Sequence, residues 1–221
     1  MNKLLVFLMI AGFSGTANAA PGDMAWGVKV STLGAGLELT FEAAHKLNVR
    51  VGANYFKTSR QVDVEANTYD LDLKLNSYTA LADWYVTDGS LRLTGGVLFN
   101  KNNLTGLALA SNSYDLNGTL YTSAEVGVLQ ADVDFKPTAP YLGIGWGNPL
   151  SDDRDWLLMI DLGVVFASKP RLDVTSTGGT LSNNSILQNN IVQVEQDFAN
   201  TKELKYLKYY PVISIGLNYR F

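Results

Sequence analysis

The feature that most constrains this chain is its last segment, residues 210–221, in which apolar and small or polar side chains alternate. Odd positions carry Pro, Ile, Ile, Leu, Tyr and Phe, whereas even positions from 212 onward carry Val, Ser, Gly, Asn and Arg. Successive side chains of a β-strand point to opposite faces. A strand with one broad apolar face and one small or polar face is typical of a transmembrane β-barrel, in which lipid covers the first face and the second lines the interior.

Five more segments repeat this alternation: residues 47–55, 78–86, 91–99, 142–146 and 156–166. Near the amino end, apolar residues take even positions from Trp26 to Val30 and odd positions from Leu37 to Phe41. The change of phase across residues 32–36 indicates a bulge within one strand or a tight turn between two short strands. A bulge gives seven strands and a turn gives eight. Because single-chain barrels have an even number of strands, the count favours the turn.

The sequence therefore predicts an all-β fold, an eight-stranded antiparallel up-and-down transmembrane barrel. The predicted strands cover residues 23–32, 36–44, 47–65, 68–86, 91–109, 128–147, 156–175 and 209–221. About 9–11 residues of a tilted strand cross a membrane, so all eight are long enough. Aromatic residues at strand ends suit the interfacial girdle of such a barrel; they are Trp26, Trp84, Tyr85, Trp146 and Trp156.

The connections differ strongly in length. Those at residues 44–47, 87–90 and 148–155 are short and suit the periplasmic side, whereas the polar residues 57–75 and 100–136 predict long extracellular hairpins. Residues 184–208 carry apolar side chains at three- and four-residue spacing from Leu187 and Ile191 onward, which predicts an amphipathic loop helix. Asn183, Asn184 and Ser185 are candidate helix caps.

The amino terminus has the three parts of a secretory signal peptide: Lys3, a short apolar run and the small residues before Ala19. We therefore expect residues 1–19 to be a signal peptide, cleaved near Ala19, and residues 20–221 to form the barrel in a Gram-negative outer membrane. Without Lys3, 16 basic residues face 21 acidic ones, and a net charge of −5 argues against a nucleic-acid partner. The chain has no cysteine to serve as a nucleophile or metal ligand.

Charged residues on the inward faces are the candidate functional site. The alternation predicts that seven of them line the lumen: Lys29, Glu38, Arg50, Asp83, Arg92, Asp161 and Arg220. They could form a path for a small zwitterion or cation, or an ion-pair network that fills the barrel. Because the interior of eight strands is just wide enough for side chains, and buried charges must pair or be hydrated, the structural interpretation is favoured.

Catalytic chemistry finds little support. The only histidine, His45, lies in a turn predicted to be periplasmic, and no second histidine supplies a base for a serine nucleophile near the outer leaflet. We expect no enzymatic activity, no cofactor and no metal site. The terminal Phe221, with Tyr219 two positions before it, is similar to the signal by which barrel proteins insert into the outer membrane.

Several motifs resemble a known family. They are residues 139–147 (Ala-Pro-Tyr-Leu-Gly-Ile-Gly-Trp-Gly), 161–166 (Asp-Leu-Gly-Val-Val-Phe), 168–175 (Ser-Lys-Pro-Arg-Leu-Asp-Val-Thr), 32–36 (Thr-Leu-Gly-Ala-Gly) and 69–72 (Tyr-Asp-Leu-Asp). With them the chain resembles CarO-type outer-membrane proteins and, more distantly, the OmpW-like barrels. The resemblance implies a monomeric eight-stranded barrel with an elaborated extracellular part, and a role in uptake of small or basic amino acids. Motifs of this kind report fold better than function.

Two functions follow as hypotheses, and a lipid-modifying enzyme with a catalytic cluster near the outer leaflet is a third. The first is a narrow channel for small solutes such as amino acids. The alternative is a closed barrel that acts as a surface interaction or envelope-structure protein. The expected partners are outer-membrane lipid and lipopolysaccharide, the barrel-assembly machinery and a small solute.

Overall fold

The structure is a computed structural model that describes residues 24–64, 67–87, 89–110, 113–150, 155–201, 204 and 208–221; residues 63–64, 67–68 and 109–110 are described by their backbone alone. The predicted signal peptide lies outside these ranges. Thirteen strands and two helices are present among the described residues. They are β1 (Met24–Ser31), β2 (Gly34–Ala44), β3 (Leu47–Val64), β4 (Asn67–Tyr85), β5 (Leu91–Asn100), β6 (Asn103–Ala110), β7 (Ser113–Leu116), β8 (Thr119–Thr122), α1 (Ser123–Val126), β9 (Gly127–Asp134), β10 (Thr138–Trp146), β11 (Trp156–Phe166), β12 (Arg171–Gly178), α2 (Ser185–Asn200) and β13 (Tyr209–Arg220).

Eight of the strands close a barrel. The antiparallel pairing runs β1, β2, β3, β4, β5, β10, β11, β13 and returns to β1. Closure leaves no free edge around this ring, so every strand in it pairs on both sides. The predicted fold class is confirmed.

The change of phase near the amino end is a turn, as the strand count favoured. Ser31 pairs with Gly34, so Thr32 and Leu33 alone connect β1 to β2. Gly34 has a φ of 109°, which L side chains rarely adopt. The Ser31 hydroxyl accepts a hydrogen bond from the Leu33 N–H and donates one to the Gly34 carbonyl.

Three predicted strands are each divided in two, which corrects the sequence prediction. The segment 91–109 breaks between β5 and β6, the segment 128–147 between β9 and β10, and the segment 156–175 between β11 and β12. Pro137 and Pro170 lie in two of the breaks, where the missing N–H interrupts a strand ladder. In the third break, the Asn102 side chain accepts from the Asn76 N–H at 2.7 Å, replacing a ladder bond.

Beyond these breaks the strands form a separate structure. The distal halves of β3 and β4 pair on with β6, β9 and β12 in a five-stranded sheet. One face of this sheet is covered by β7, β8, α1 and α2, and the buried residues between them are Tyr114, Leu116, Tyr121, Val126, Val174, Leu187 and Ile191. We call this sheet and its covering elements the lobe. The lobe has a hydrophobic core of its own.

The covered face of the lobe continues the inward face of the barrel. Ala108 of β6 packs against the core of the lobe, and Gly106 lies on the same face of that strand, two residues away. The Leu71 side chain of β4 lies next to the Cβ position of Gly106, so Leu71 is on the covered face as well. Alternation along β4 carries that same face to Leu81 and Asp83, which are buried inside the barrel. The core of the lobe therefore lies on the side of the sheet that continues the lumen.

The loop helix is shorter than the sequence predicts. The expected range was 184–208, but α2 ends at Asn200, because Thr201 adopts an extended backbone with φ −57° and ψ 130°. Of the three candidate caps, Asn184 fills the role: its side chain accepts a hydrogen bond from the Ile186 N–H at 2.8 Å. Among the described residues, neither helix has the length and hydropathy of a membrane-spanning segment.

Apolar side chains cover the outer wall of the barrel, as the alternation predicts. Trp26, Trp156 and Tyr219 cluster at the end with the short turns, with ring centroids 5.0 to 6.5 Å apart. Trp84 and Trp146 are also exposed at this end. The prediction for Tyr85 was wrong: its side chain is buried in the lumen, where its hydroxyl accepts from Asn48.

Candidate functional site

The lumen brings six of the seven predicted charged residues together. Each comes from a different barrel strand, and all six are buried; they are Lys29, Glu38, Arg50, Asp83, Arg92 and Asp161. Side chains alternate between the two faces of a strand, and each of these six residues is at a position whose side chain points into the barrel. Three cations face three carboxylates, so the charges balance.

Arg50 is the centre of this network. Its Nη1 and Nη2 donate to Asp161 Oδ2 at 3.2 Å and Oδ1 at 3.0 Å. Its Nε lies 2.5 Å from Asp83 Oδ2, and its Nη1 lies 3.5 Å from Glu38 Oε2. A guanidinium presents five donors in a rigid plane, which allows one side chain to hold three carboxylates at once.

Arg92 forms the second half of the network. Its Nη2 lies 2.5 Å from Asp161 Oδ1, and its Nε lies 3.4 Å from Asp83 Oδ1. Gly145 pairs directly with Arg92 on one side and with Asp161 on the other. A Cβ at position 145 would lie 2.6 Å from Arg92 Cζ, so a glycine is needed for Arg92 to reach Asp161 across β10.

The remaining pair extends the network towards the lobe. Lys29 Nζ donates to Glu38 Oε2 at 3.0 Å, so that Glu38 serves both Lys29 and Arg50. The Thr94 hydroxyl donates to Asp83 Oδ1 at 2.6 Å. Paired and hydrogen-bonded in this way, buried charges are tolerated in a low-dielectric interior.

Two other predicted site residues lie apart from the network. Arg220, near the end of β13, donates to the Leu150 carbonyl at 3.3 Å and is only half-buried. Phe221 is exposed beyond the end of β13, and its N–H donates to the Met24 carbonyl. The role of Phe221 as an insertion signal remains a prediction.

Sequence reasoning missed the residues that close the lobe end of the lumen. Seven residues pack together there: Leu33, Leu81, Leu98, Ala139, Tyr141, Val165 and Val212. We call this cluster the apolar plug. The sequence could have predicted part of it. Leu81, Leu98 and Tyr141 are at positions whose side chains point inward, and large apolar residues there are unusual because barrel interiors are usually polar. Leu33 gave no such signal, since it lies in a turn.

The opposite end of the lumen is closed by neutral polar groups. Asn48 Nδ2 donates to Asn148 Oδ1 at 3.0 Å and to the Tyr85 hydroxyl at 3.3 Å. Arg92 Nη1 donates to the Gly147 carbonyl at 2.5 Å, which ties this layer to the ion-pair network. Three layers thus cross the lumen: apolar plug, charges and amides. A recess of about 150 Å³ lies at the amide end, lined by Asn48, Tyr85 and Asn148 together with residues of the short turns.

The space left between the plug and the charges is very small. A cavity of about 20 Å³ lies among Lys29, Arg50, Tyr141, Asp161 and Ser214. A single water molecule needs roughly 10–15 Å³ of such volume, so the cavity has room for about one. A small amino acid does not fit in this arrangement of side chains.

The outer face of the lobe sheet is polar. Ser59, Asp72, Thr105, Asp132 and Asp173 lie directly opposite one another across five strands. Burial alone would raise the pKa of Asp132, but hydrogen bonds from Thr105, Gln130 and Asn103 outweigh it and hold that pKa below its usual value. The Thr105 hydroxyl donates to Asp132 Oδ1 at 2.5 Å.

The described residues offer little for metal or acid–base chemistry. They contain no group of three or more histidine and carboxylate side chains placed to hold a metal ion. His45 is exposed in the turn between β2 and β3, at the end of the barrel opposite the lobe. The expectation that the chain is not an enzyme stays a prediction.

Comparison with solved structures identifies the fold. CarO2 of Acinetobacter baumannii is 18% identical, with a TM-score of 0.55 over 92% of this chain and 100% of that chain. The chain has the CarO barrel fold. CarO of the same species is 22% identical, with a TM-score of 0.51 over 91% of this chain and 98% of that chain. No family model and no curated protein matches the sequence.

The resemblance to CarO that the motifs indicated is therefore confirmed for the fold. The chain shares the barrel with CarO along nearly its whole length, and at this identity the likeness carries no substrate or residue role.

Proposed function

We propose that this chain is a closed outer-membrane barrel that anchors a folded lobe at the cell surface, where the lobe and the barrel wall just below it contact the outer leaflet. The observation that carries the proposal is the filled lumen: a charge-balanced ion-pair network lies beneath an apolar plug, with a cavity of about 20 Å³ between them. Eight strands enclose an interior just wide enough for side chains. Because side chains fill its interior, the barrel in this proposal holds the lobe in the membrane and does not conduct solutes.

The lobe supports the second half of the proposal. Its own core of seven buried residues makes it a rigid unit, unlike the mobile polar loops of a simple barrel. The short turns at the other end suit the periplasm, and long extensions in barrels of this class lie outside the cell. We therefore orient the lobe towards the cell surface, with the signal peptide cleaved near Ala19.

A narrow channel for small solutes such as amino acids is the function that this proposal replaces. It requires Arg50 or Arg92 to leave its carboxylates and the apolar plug to move aside. Both steps expose buried charge or apolar surface, which costs several kcal/mol.

The first test is electrical conductance across a planar bilayer with the purified, folded protein. We expect no unitary current from the wild type. The double substitution Leu33→Ala with Tyr141→Ala removes much of the apolar plug and serves as the positive control, in which current or a raised leak should appear. Steady single-channel current or amino-acid flux from the wild type would instead establish the channel.

The second test fixes the orientation and uses the absence of native cysteine. Thr119→Cys places a thiol on β8 of the lobe, and Thr87→Cys places one in the short turn between β4 and β5; both positions are exposed. A membrane-impermeant maleimide added to intact cells should label only the first. Labelling of Thr87→Cys alone would reverse the orientation and refute the proposal.

A further inference from the structure

We propose that the outer wall of the barrel, just below the lobe, holds one phosphorylated glycolipid of the outer leaflet, with phosphate on Lys57, Lys74 and Lys101 and an acyl chain in the groove beneath them. The inference rests on the proposed orientation, because lipopolysaccharide is the phosphorylated glycolipid of the leaflet that the lobe would face. It names the molecule that the barrel wall just below the lobe would contact.

Two lysines stand directly opposite each other on the outer wall. Lys57 of β3 pairs with Lys74 of β4, and both side chains are exposed on the face that Tyr55 and Tyr78 share. Directly opposite residues have Cβ atoms roughly 4.5–5.5 Å apart, and like charges in this position are destabilising. In the described part of the chain neither amino group lies within salt-bridge distance of a carboxylate. An anion between them would relieve the repulsion.

A third lysine joins the pair. Lys101 Nζ lies 5.8 Å from the centroid of the Tyr78 ring, and the Lys101 N–H donates to the Asn76 carbonyl at 2.8 Å. Asn76 lies two residues below Lys74 on the same face of β4. The three lysines therefore form one cationic cluster above the side chain of Tyr78.

The height of the cluster matches the membrane boundary. Lys57 and Lys74 each lie ten residues along their strand from a residue at the short-turn end, Leu47 and Trp84. Lys101 follows the last residue of β5 and lies ten residues from Leu91, where that strand begins. The apolar band of such a barrel is about 25 Å tall, which tilted strands cross in about 9–11 residues. The lysines thus lie where the headgroups of the leaflet begin.

An apolar groove lies in the wall directly below the lysines. It has a volume of about 840 Å³ and is lined on the lipid side by Val30, Ala35, Leu37, Ala53, Tyr55 and Tyr78. The small side chains of Ala35 and Ala53 leave the space between larger neighbours. The groove is open to the lipid and continues along the wall to Leu158, Ile215 and Leu217. Its apolar lining suits an acyl chain and not a free phosphate, and on this ground we commit the site to a lipid.

The arrangement of carboxylates favours approach from the membrane. Asp72 lies two residues beyond Lys74 on the same face, farther from the barrel, and Asp173 lies likewise beyond Arg171. A soluble polyanion that approaches from above meets these carboxylates first, whereas a phosphate at the membrane surface meets the lysines. Asp134 lies in the same row as Lys74, but Asn103 donates to it and Arg171 stands opposite it. Apart from Asp134, these carboxylates lie farther from the barrel than the lysines, which suits a lipid headgroup.

The test is a lipid titration of the full, folded protein in detergent micelles, followed by native mass spectrometry. The probes are lipopolysaccharide, the same lipid with its phosphates removed, phosphatidylglycerol and inorganic phosphate. Wild type should bind lipopolysaccharide most tightly. A lysine near an anionic lipid surface contributes enough to change affinity about fivefold, so Lys57→Gln with Lys74→Gln should weaken binding about 25-fold. Heat-modifiable gel mobility checks that each variant is folded.

Matched variants separate the parts of the site. Lys46→Gln removes the same charge at the opposite end of the barrel and should leave affinity unchanged. Ala53→Phe fills the groove without touching a lysine and should weaken lipopolysaccharide binding; Ala35→Leu is used instead if Ala53→Phe does not fold.

Equal binding by wild type and the lysine variants overturns the site. Equal binding of phosphatidylglycerol overturns the choice of glycolipid, and equal binding of inorganic phosphate, or no effect of groove filling, overturns the lipid. Conductance and cysteine labelling do not depend on any of these results.

Discussion

Arg50 and Asp161 join opposite sides of the barrel. Arg50 lies on β3 and Asp161 on β11, four strands apart in a ring of eight, and two parallel hydrogen bonds of 3.2 and 3.0 Å connect them. Bidentate bonds between a guanidinium and a carboxylate are among the strong ones in proteins. This crosslink spans the whole lumen, so it bears on both closure and stability.

The substitution Asp161→Asn should destabilise the barrel. It leaves Arg50 and Arg92 with less negative charge than they need, and removing one partner from a buried ion pair typically costs about 3–5 kcal/mol. Urea unfolding of the protein in lipid vesicles measures the loss in free energy of unfolding. Asp155→Asn, at an exposed position just before β11, is the control and should change little. A similar decrease in the free energy of unfolding for both variants would mean that the ion-pair network does not stabilise the barrel.

The substitution Gly145→Ala should displace Arg92. The added methyl would overlap the guanidinium, so Arg92 must swing away from Asp161 or β10 must shift. Overpacking of this kind typically costs about 1–3 kcal/mol. Gly95→Ala is the matched control, since its Cβ would meet Leu142 Cδ2 at 3.5 Å, an ordinary contact. Unfolding free energies of the two variants should differ clearly, and equal values would contradict the close approach.

The substitution Thr105→Val should raise the pKa of Asp132 towards its usual value of about 3.9. The hydroxyl of Thr105 is one of the donors that favour the charged form, and the pKa of Asp132 is held low. A lowered pKa stabilises the folded lobe above the usual value, and this contribution is lost as pH falls through the lowered one. Carboxyl carbon NMR during an acid titration measures the shift. Thr177→Val, at the far end of β12, should leave the titration of Asp132 unchanged.

The substitution Asn184→Ala should loosen α2. The side chain caps the first turn by accepting from Ile186, and losing such a cap typically costs about 1 kcal/mol. Hydrogen exchange of the α2 amides should quicken by roughly fivefold. Asn183→Ala, at the exposed neighbouring position, tests the assignment. An equal effect at Asn183 would show that the cap is wrongly placed.

Much of this fold could be read from alternation along the chain. Period-two patterns predicted all eight barrel strands and the inward charges, because a membrane barrel imposes opposite chemistry on its two faces. The breaks at Lys101, Pro137 and Pro170 could not be placed in this way, since they depend on where the ring closes and the lobe sheet begins. The sequence also could not show that Leu33 joins the apolar plug, because a turn residue has no face until its neighbours are known.

The three strand breaks have a practical consequence. The breaks lie next to one another in space. The Asn100 N–H donates to the Pro137 carbonyl, and Asp134 pairs with Arg171, so residues that border the three breaks are in contact. The barrel below them is complete in its own pairing, whereas β3 and β4 continue unbroken across the junction into the lobe. The three breaks are therefore the natural places to cut in protein engineering: a foreign domain joined there and carried on β3 and β4 would use the sealed cylinder as a display platform on living bacteria.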